Sequence, residues 1–246
     1  MGDDWQELLS LRARSHRTGS SQESINSVES VISDVSETNV PVYEALRELV
    51  EQASTQLTLV GQIGQTLDGR IATESGHSHY VNGEEALTHL HRLRALADAV
   101  VIGAGTAIAD NPSLTVRRVE GPNPVRIVLD PHSRVPRTLK LSTDGLAETH
   151  FLDKSVCEGG PEALIDWLRA QNFRLVLIEG GPTTLSRFVA AGVLDKLHLL
   201  VAPKLLGSGR PGLTLPVVER MDQVPDLPCK SYQLGSDTLF DVTMRA

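Results

Sequence analysis

Residues 177–185 read Leu-Ile-Glu-Gly-Gly-Pro-Thr-Thr-Leu, an apolar run that leads into two glycines, a proline and two threonines. The pattern predicts a buried strand, a tight turn and a helix that begins near Pro182. In an open α/β sheet, ligands gather at the carboxyl ends of the strands, and the free N–H groups of a helix start favour an anion such as phosphate. The hydroxyl groups of Thr183 and Thr184 would add donors there. A tight turn before an N-capped helix, with no ligand, explains the same residues equally well.

The rest of the chain alternates short apolar runs with helical patterns. The runs are rich in Val, Ile and Leu and do not alternate with polar residues, which predicts strands covered on both faces and a largely parallel sheet. They are Leu57–Val60, Ala99–Ile102, Arg126–Leu129, Leu175–Ile178 and Leu197–Ala202, and the helical stretches are Gly83–Leu96, Pro161–Ala170 and Pro182–Ala191. The tail, Ser231 to Met244, predicts an edge hairpin around Gly235. These elements together indicate the α/β class.

Residues 1–55 differ from the remaining chain and are predicted to be an acidic, serine-rich extension of a main domain over residues 56–246. The extension holds ten acidic residues and four arginines, a net charge of −6 out of −8 for the whole chain. The spacing of Ile25, Val28, Ile32 and Val35 fits one face of a helix, although disorder fits this segment equally well. Pro41 opens a predicted helix over Val42 to Gln52. We expect residues 1–38 to be dispensable for the fold.

Composition excludes several classes of function. A net charge of −8 argues against binding to nucleic acid, which favours a basic face. No apolar run is long enough to cross a membrane, and the start of the chain has no signal-peptide pattern, so the sequence predicts a cytoplasmic protein. Cys157 and Cys229 have no spacing typical of a disulfide framework or a zinc site.

Other motifs carry less weight. Gly103-Ala-Gly-Thr106 is half of a dinucleotide-binding fingerprint, but Ile108 stands where the third glycine belongs, which disfavours a Rossmann site. Two strand ends with Gly and Thr fit better with a dinucleotide lying across several strands.

Histidines and serines support neither a metal site nor a hydrolase. The pairs His77/His79 and His89/His91 lack further ligands at suitable spacing, so no metal is predicted. Ser78 and Ser186 do not lie in a nucleophile motif, which excludes a serine hydrolase. The acids Asp68, Asp110 and Glu179 stand at turn junctions, where a carboxylate meets a substrate or simply caps a turn.

Six ordered blocks over roughly residues 57–215 resemble the reductase domain of the riboflavin-pathway deaminase/reductase family. They are Gln65–Ala72, Ser75–Tyr80, His91–Ala95, Gly103–Arg117, Glu179–Thr183 and Ala202–Gly207. The resemblance implies a dihydrofolate-reductase-like fold with a mixed, mostly parallel sheet flanked by helices, a homodimer, and NADPH as cofactor. It implies reduction of the ribosylamino group of an aminopyrimidine phosphate to a ribitylamino group, which is an NADPH-dependent oxidoreductase activity in riboflavin biosynthesis.

The resemblance also assigns roles by position. It implies NADP contacts at Gly64, Tyr80, Thr106, Asp110, Gly181, Pro182, Thr183, Thr184, Leu185, Ser186 and Arg187. It implies substrate contacts at Gln62, Ser78, Arg94, Leu114, Arg117 and Glu179, with Asp110 and Glu179 as the catalytic carboxylates. Arg94 and Arg117 would offer forked donors to a phosphate or to polar ring edges.

This chain departs from the family pattern at three positions. Gln62 stands where a lysine is common, Tyr80 where tryptophan is usual, and Pro131 where serine is common. Gln62 removes a charge on the substrate side and leaves the substrate open. A related NADPH reductase of another small heterocycle, or a non-catalytic nucleotide-binding module, therefore remains an alternative. The zinc-deaminase signature of the family is missing from residues 1–55, so we expect no deaminase activity.

Overall fold

The structure, a computed structural model, describes residues 2–15, 40–79 and 81–245. The Ile25–Val35 pattern and Tyr80 lie outside these residues. The described helices are α1 (Gly2–Ser15), α2 (Val40–Thr55), α3 (Glu84–Leu96), α4 (Ala104–Asp110), α5 (Lys140–Thr143), α6 (Lys154–Cys157), α7 (Gly160–Ala170) and α8 (Pro182–Ala190). The strands are β1 (Thr58–Thr66), β2 (Arg70–Ala72), β3 (Ala99–Gly103), β4 (Val125–Leu129), β5 (Thr149–Leu152), β6 (Leu175–Gly180), β7 (Lys196–Ala202), β8 (Arg210–Pro211), β9 (Cys229–Leu234) and β10 (Asp237–Thr243).

Eight strands form one sheet in the order β5-β4-β3-β6-β1-β7-β10-β9. Along this order the first six strands, β5, β4, β3, β6, β1 and β7, are parallel. The hairpin of β9 and β10 joins β7 in antiparallel orientation. The expected mixed, mostly parallel sheet flanked by helices is confirmed, as is the hairpin at the edge. Because β1, β3, β4 and β6 run in the same direction, their carboxyl ends meet at one edge of the sheet.

The side chains of the apolar runs pack into a hydrophobic core on each face of the sheet. On β3, Val100 and Ile102 join the core beneath α1, α2 and α3, whereas Ala99 and Val101 join the core beneath α7 and α8. Successive side chains of a strand point to opposite faces, so a strand covered on both sides needs apolar residues at every position. This packing explains why the runs did not alternate with polar residues.

The N-terminal helix is part of this core. Trp5 and Leu8 of α1 are buried in the cluster that also holds Leu46 and Leu49 of α2. The Nε group of Arg12 donates to the carbonyl oxygen of Leu96 at 2.6 Å, and Arg12 forms an ion pair with Asp98. This packing argues against the expectation that residues 1–38 are dispensable. The predicted helix over Val42 to Gln52 is confirmed within α2.

Several elements besides α1 were not predicted. The strand β5 is short and reads Thr-His-Phe-Leu, and α4 follows β3 directly. A second small sheet pairs β2 with β8, where Ala72 lies opposite Arg210. This small sheet brings the segment after β7 back over the ends of the main sheet.

Candidate active site

A cavity of about 800 Å³ lies at the carboxyl edge of the main sheet. Its wall is built from the ends of β1, β3, β4 and β6, the start of α8, and residues of β2 and β8. The volume lies within the range of about 300–1,000 Å³ that small-molecule and cofactor sites usually occupy. Its position follows the rule that open α/β sheets bind ligands beyond the carboxyl ends of their strands.

The two Gly–Thr strand ends interlock on this wall. The N–H group of Gly181 donates to the hydroxyl oxygen of Thr106 at 2.8 Å. A Cβ atom on Gly181 would lie 2.7 Å from the Thr106 hydroxyl, and one on Gly103 would lie 2.5 Å from the Thr184 hydroxyl. Each glycine therefore accommodates the threonine of the other strand end. The sequence predicted one dinucleotide lying across both strand ends, but not that each threonine packs against the opposite glycine.

Glu179 projects from the end of β6 and is held by Arg94 of α3. The Nε group of Arg94 donates to Oε2 of Glu179 at 2.8 Å, its Nη2 group donates to Oε1, and Nη1 donates to the carbonyl oxygen of Thr115 at 3.1 Å. Burial alone would lower the pKa of Arg94, but the charge and hydrogen bonds of Glu179 raise the pKa above its usual value. The pair fixes the Glu179 carboxylate on the cavity wall.

Most of the predicted site residues line this cavity. From the cofactor set these are Gly64, Thr106, Asp110, Gly181, Pro182, Thr183, Thr184, Leu185 and Arg187, and from the substrate set Gln62, Ser78, Leu114 and Glu179. Of the described residues on the wall, Asp110 and Glu179 are the acids. Their location fits the predicted catalytic pair, whose roles stay predictions.

Three predicted residues lie behind or beside the cavity. Arg94 is 6% exposed and faces Glu179. Arg117 is exposed, and its Nη1 group donates to the Thr115 hydroxyl at 2.7 Å. The buried Ser186 hydroxyl accepts the N–H group of Thr214 at 2.9 Å. Neither arginine lines the cavity, and Ser186 ties α8 to the segment after β8. Their predicted ligand contacts stay predictions.

The His89/His91 pair serves packing, whereas His77 and His79 are exposed. His89 contacts His198 of β7 through ring nitrogens 2.9 Å apart, while His91 accepts the N–H group of Arg117 at 3.0 Å. Burial, followed by the positive charges of Arg94 and Arg117, lowers the pKa of His91 to about 4. Within the described residues, no three His, Cys, Asp or Glu side chains are grouped as metal ligands.

Asp68 has a structural role. Hydrogen bonds from the Thr66 hydroxyl and from the N–H groups of Leu206 and Gly207 lower the pKa of Asp68 to about 2. The carboxylate therefore anchors the segment that leads from β7 to β8.

In the described part of the chain, no helix is long and apolar enough to cross a membrane.

Sequence reasoning missed several wall residues, among them His132, Arg134, Cys157 and Arg210. His132 and Arg134 follow β4 on a loop whose N–H groups at Arg134 and Val135 donate to the carboxylate of Asp130, each at 2.9 Å. Asp130 directly after the predicted strand Arg126–Leu129 was a usable signal for this loop. No sequence signal pointed to Arg210, because β8 is two residues long and its place depends on pairing with the distant strand β2.

Comparisons with known proteins agree with this geometry. Residues 57–239 match the family described as the RibD C-terminal domain. The chain is 33% identical over 206 residues to the 2,5-diamino-6-ribosylamino-4(3H)-pyrimidinone 5′-phosphate reductase of Methanothermobacter thermautotrophicus, a match that covers 73% of this chain and 94% of that protein. It is 35% identical over 191 residues to the riboflavin biosynthesis protein RibD of Aquifex aeolicus, covering 68% of this chain and 53% of that protein.

A solved structure shares the fold. Acinetobacter baumannii RibD superposes with a TM-score of 0.68 at 26% identity, over 81% of this chain and 61% of that chain. The chain thus spans nearly all of the archaeal reductase but only about half of the RibD proteins that it matches. With the family match over most of its length and the archaeal relative covered almost completely, the chain belongs to the RibD C-terminal domain family.

Proposed function

We propose that this protein is an NADPH-dependent reductase of a ribosylaminopyrimidine phosphate in riboflavin biosynthesis. The observation that carries the proposal is Glu179, whose carboxylate is held by Arg94 on the wall of a cavity beside the interlocked Gly–Thr strand ends. The reductase activity named for the archaeal relative, which this chain covers almost completely, supports it.

The residues of the cavity fit a nicotinamide dinucleotide. Gly103 and Gly181 let the two strand ends pack together and place both threonines on one wall, and the first N–H groups of α8 have no acceptor inside the helix. These groups and the Thr183 hydroxyl would hold the diphosphate, while Arg187 and Arg134 supply positive charge on the same wall. Bound NADPH supplies the hydride.

The substrate would lie against Gln62, Ser78, Leu114 and Glu179. Glu179 accepts hydrogen bonds from ribose hydroxyls or pyrimidine N–H groups and so aligns the ribosyl C1′ for hydride transfer. When C1′ gains the hydride, its bond to the ring oxygen breaks and that oxygen takes a proton. Arg94 already engages both oxygens of Glu179, and solvent supplies that proton.

The direct test measures NADPH oxidation with two phosphorylated substrates, the 2,5-diaminopyrimidinone named for the archaeal relative and the 5-aminouracil named for a Thermotoga maritima protein with a matching structure. Turnover of either supports the proposal, and the ratio of the two kcat/KM values identifies the preferred ring. Turnover only of another heterocycle favours a related NADPH reductase. NADPH binding without turnover of any candidate favours a non-catalytic nucleotide-binding module.

Cofactor choice has its own test. Binding of NADPH at a hundredfold excess over Kd should stabilise the fold by about 2.7 kcal/mol. We expect a larger rise in Tm with NADPH than with NADH, and no dependence on added metal. A stronger response to NADH would contradict the choice of NADPH.

We also propose that the protein is a cytoplasmic homodimer, as the family resemblance implies. Light scattering after size-exclusion chromatography measures the mass of the assembly. The mass of one 26.6 kDa chain at all concentrations would contradict the dimer.

A further inference from the structure

A second cavity, of about 370 Å³, lies at the amino edge of the main sheet and is called the amino-edge cavity below. Residues just before β1, β6 and β7 form its wall, together with the end of α7 and the segment after β10. None of its described wall residues lines the candidate active site. Arg174 stands directly before β6 and Glu179 near its end, so a strand length of about 17 Å separates the two cavities.

The wall of the amino-edge cavity is positively charged. Among its described residues it carries the guanidinium groups of Arg169, Arg174 and Arg245 and a single carboxylate, that of Asp195. This carboxylate is bound to the sheet, because its Oδ2 atom accepts the N–H group of Leu59 at 2.7 Å. Three cations against one carboxylate leave an excess of positive charge around the cavity, which an anion would neutralise.

Arg174 has a charge that the fold does not use. Its backbone is fixed on both sides, since its N–H group donates to Oδ2 of Asp98 at 2.6 Å and its carbonyl oxygen accepts the N–H group of Thr58 at 2.7 Å. Within the described part of the chain, its guanidinium has no hydrogen-bond or ion-pair partner. Burial, followed by the positive charge of Arg174, lowers the pKa of Arg12 to about 10. The guanidinium of Arg174 therefore repels its neighbour, and an anion in the cavity would relieve this repulsion.

The other two arginines differ in how they are held. The Nη2 group of Arg245 donates to the carbonyl oxygen of Val193 at 2.6 Å, and the remaining N–H groups of this guanidinium have no acceptor among the described residues. Arg169 lies in the last turn of α7, where a cation also favours the helix dipole, and it pairs with Asp166 on the exposed face. Arg174 and Arg245 are therefore the donors that a ligand would meet.

We propose that the amino-edge cavity is a second ligand site, which binds a small phosphate ester with a planar, apolar body. Arginine forks match the oxygens of a phosphate group, and Arg174 and Arg245 would supply them. Leu57 and Phe173 are half-buried on the same wall and would contact the apolar body. The volume lies within the range of small-molecule sites and exceeds what a bare oxyanion fills. This site does not depend on the proposed function, because it shares no described wall residue with the candidate active site.

Calorimetric titration with phenyl phosphate tests the site, with inorganic phosphate for comparison, at low ionic strength where screening is weak. We expect wild type to bind phenyl phosphate more tightly than inorganic phosphate. Arg174→Gln should bind phenyl phosphate at least tenfold more weakly, because a hydrogen bond between charged groups is lost. Arg245→Gln should have a similar effect and serves as the second variant if Arg174→Gln folds poorly. Equal affinity of wild type for the two probes would overturn the apolar part of the ligand.

Stability without phosphate separates a ligand site from a structural role of Arg174. Arg174→Gln removes the charge that repels Arg12, so its Tm without ligand should equal or exceed that of wild type. Phenyl phosphate should raise the Tm of wild type and leave that of the variant unchanged. A lower Tm of Arg174→Gln without ligand, combined with the same rise on adding phenyl phosphate, would show that this arginine only supports the fold.

Two matched variants locate the binding. Arg118→Gln removes an arginine that pairs with Glu84 and lines neither cavity, and it should bind phenyl phosphate as wild type does. Arg187→Gln removes an arginine of the candidate active site, and binding at the amino edge should survive this change. Binding that is lost in Arg187→Gln and kept in Arg174→Gln, or no binding by wild type, overturns the proposal and leaves the proposed function untouched.

Discussion

Gln62 is the residue at which the substrate side differs most from the family pattern. It is 7% exposed and lines the cavity from β1, where its register partner on β7 is His198. A hydrogen bond to a charged group contributes about 1.5–3 kcal/mol, against roughly 0.5–1.5 for a neutral pair. We therefore expect Gln62→Lys to raise kcat/KM for the phosphorylated pyrimidine several-fold, with little change in the Kd for NADPH.

Steady-state kinetics check this expectation, with Gln62→Met as a control of similar size and no charge. Loss of activity in Gln62→Lys would mean that the amide is itself fitted to the substrate.

Residue-level reasoning from sequence found Arg94 and Glu179 but not their relation. Both were expected to contact substrate, and the structure pairs them across 85 positions of the chain. Local patterns report secondary structure, whereas the partner of a buried charge depends on which elements pack together. The same limit concealed Arg210, whose place depends on β8 meeting β2.

At the level of elements, the interlocked strand ends give a sharp expectation. In Gly181→Ala the new methyl group would lie 2.7 Å from the Thr106 hydroxyl, so the turn between β6 and α8 must shift. Because this turn would hold the cofactor diphosphate, we expect at least a tenfold weaker Kd for NADPH, the effect of about 1.4 kcal/mol. Fluorescence titration of NADPH measures it.

A second substitution controls for the steric cause. Thr106→Ser keeps the hydroxyl that accepts the N–H group of Gly181 and should bind NADPH nearly as wild type does. Addition of Thr106→Ala to Gly181→Ala should restore part of the affinity by removing the clash. If Gly181→Ala alone binds NADPH normally, the turn between β6 and α8 is not part of the cofactor site.

The N-terminal helix yields an expectation about stability. Leu8 of α1 is 1% exposed and lies in the main core, so Leu8→Ala leaves a cavity and should lower the free energy of unfolding by about 2–5 kcal/mol. Urea unfolding measures this change. Ser10→Ala, on the exposed face of the same helix, should change it by less than about 0.5 kcal/mol. Equal stability of the two variants would show that α1 does not pack as described.

Strands were more predictable than the elements around them. Every predicted apolar run corresponds to a strand, because a strand buried on both faces is apolar along its length. The strand β5 was missed because four residues with threonine and histidine carry too weak a pattern. The helix α1 was missed because its acidic residues and serines suggested an extension, although Trp5, Leu8 and Arg12 share one helical face.

At the level of the whole molecule, two buried histidines make stability depend on pH. Burial, then the charges of Arg94 and Arg117, lowers the pKa of His91 to about 4. Burial, then the charges of His198 and Arg92, lowers the pKa of His89 well below its usual value. Below about pH 6.5 the unfolded chain binds protons at these positions while the folded chain does not, so acid favours unfolding.

We therefore expect the free energy of unfolding to fall from pH 6.5 to pH 5 by up to about 1.4 kcal/mol per pH unit for each histidine. Urea unfolding across this range measures the slope. His91→Asn keeps a side-chain acceptor for the N–H group of Arg117 and should reduce the slope by one histidine's share. A slope that is unchanged in this variant would show that His91 is not the group that titrates.

The central place of β1 in the sheet has a consequence for synthesis on the ribosome. Thr58 of β1 pairs with Leu175 of β6, and Val60 pairs with Lys196 of β7, so β1 leaves the ribosome long before its neighbours exist. At about 5–20 residues per second, the wait between β1 and β6 lasts roughly 6–23 s. During that interval both edges of β1 are open, and a nascent chain in this state is a natural client for chaperones.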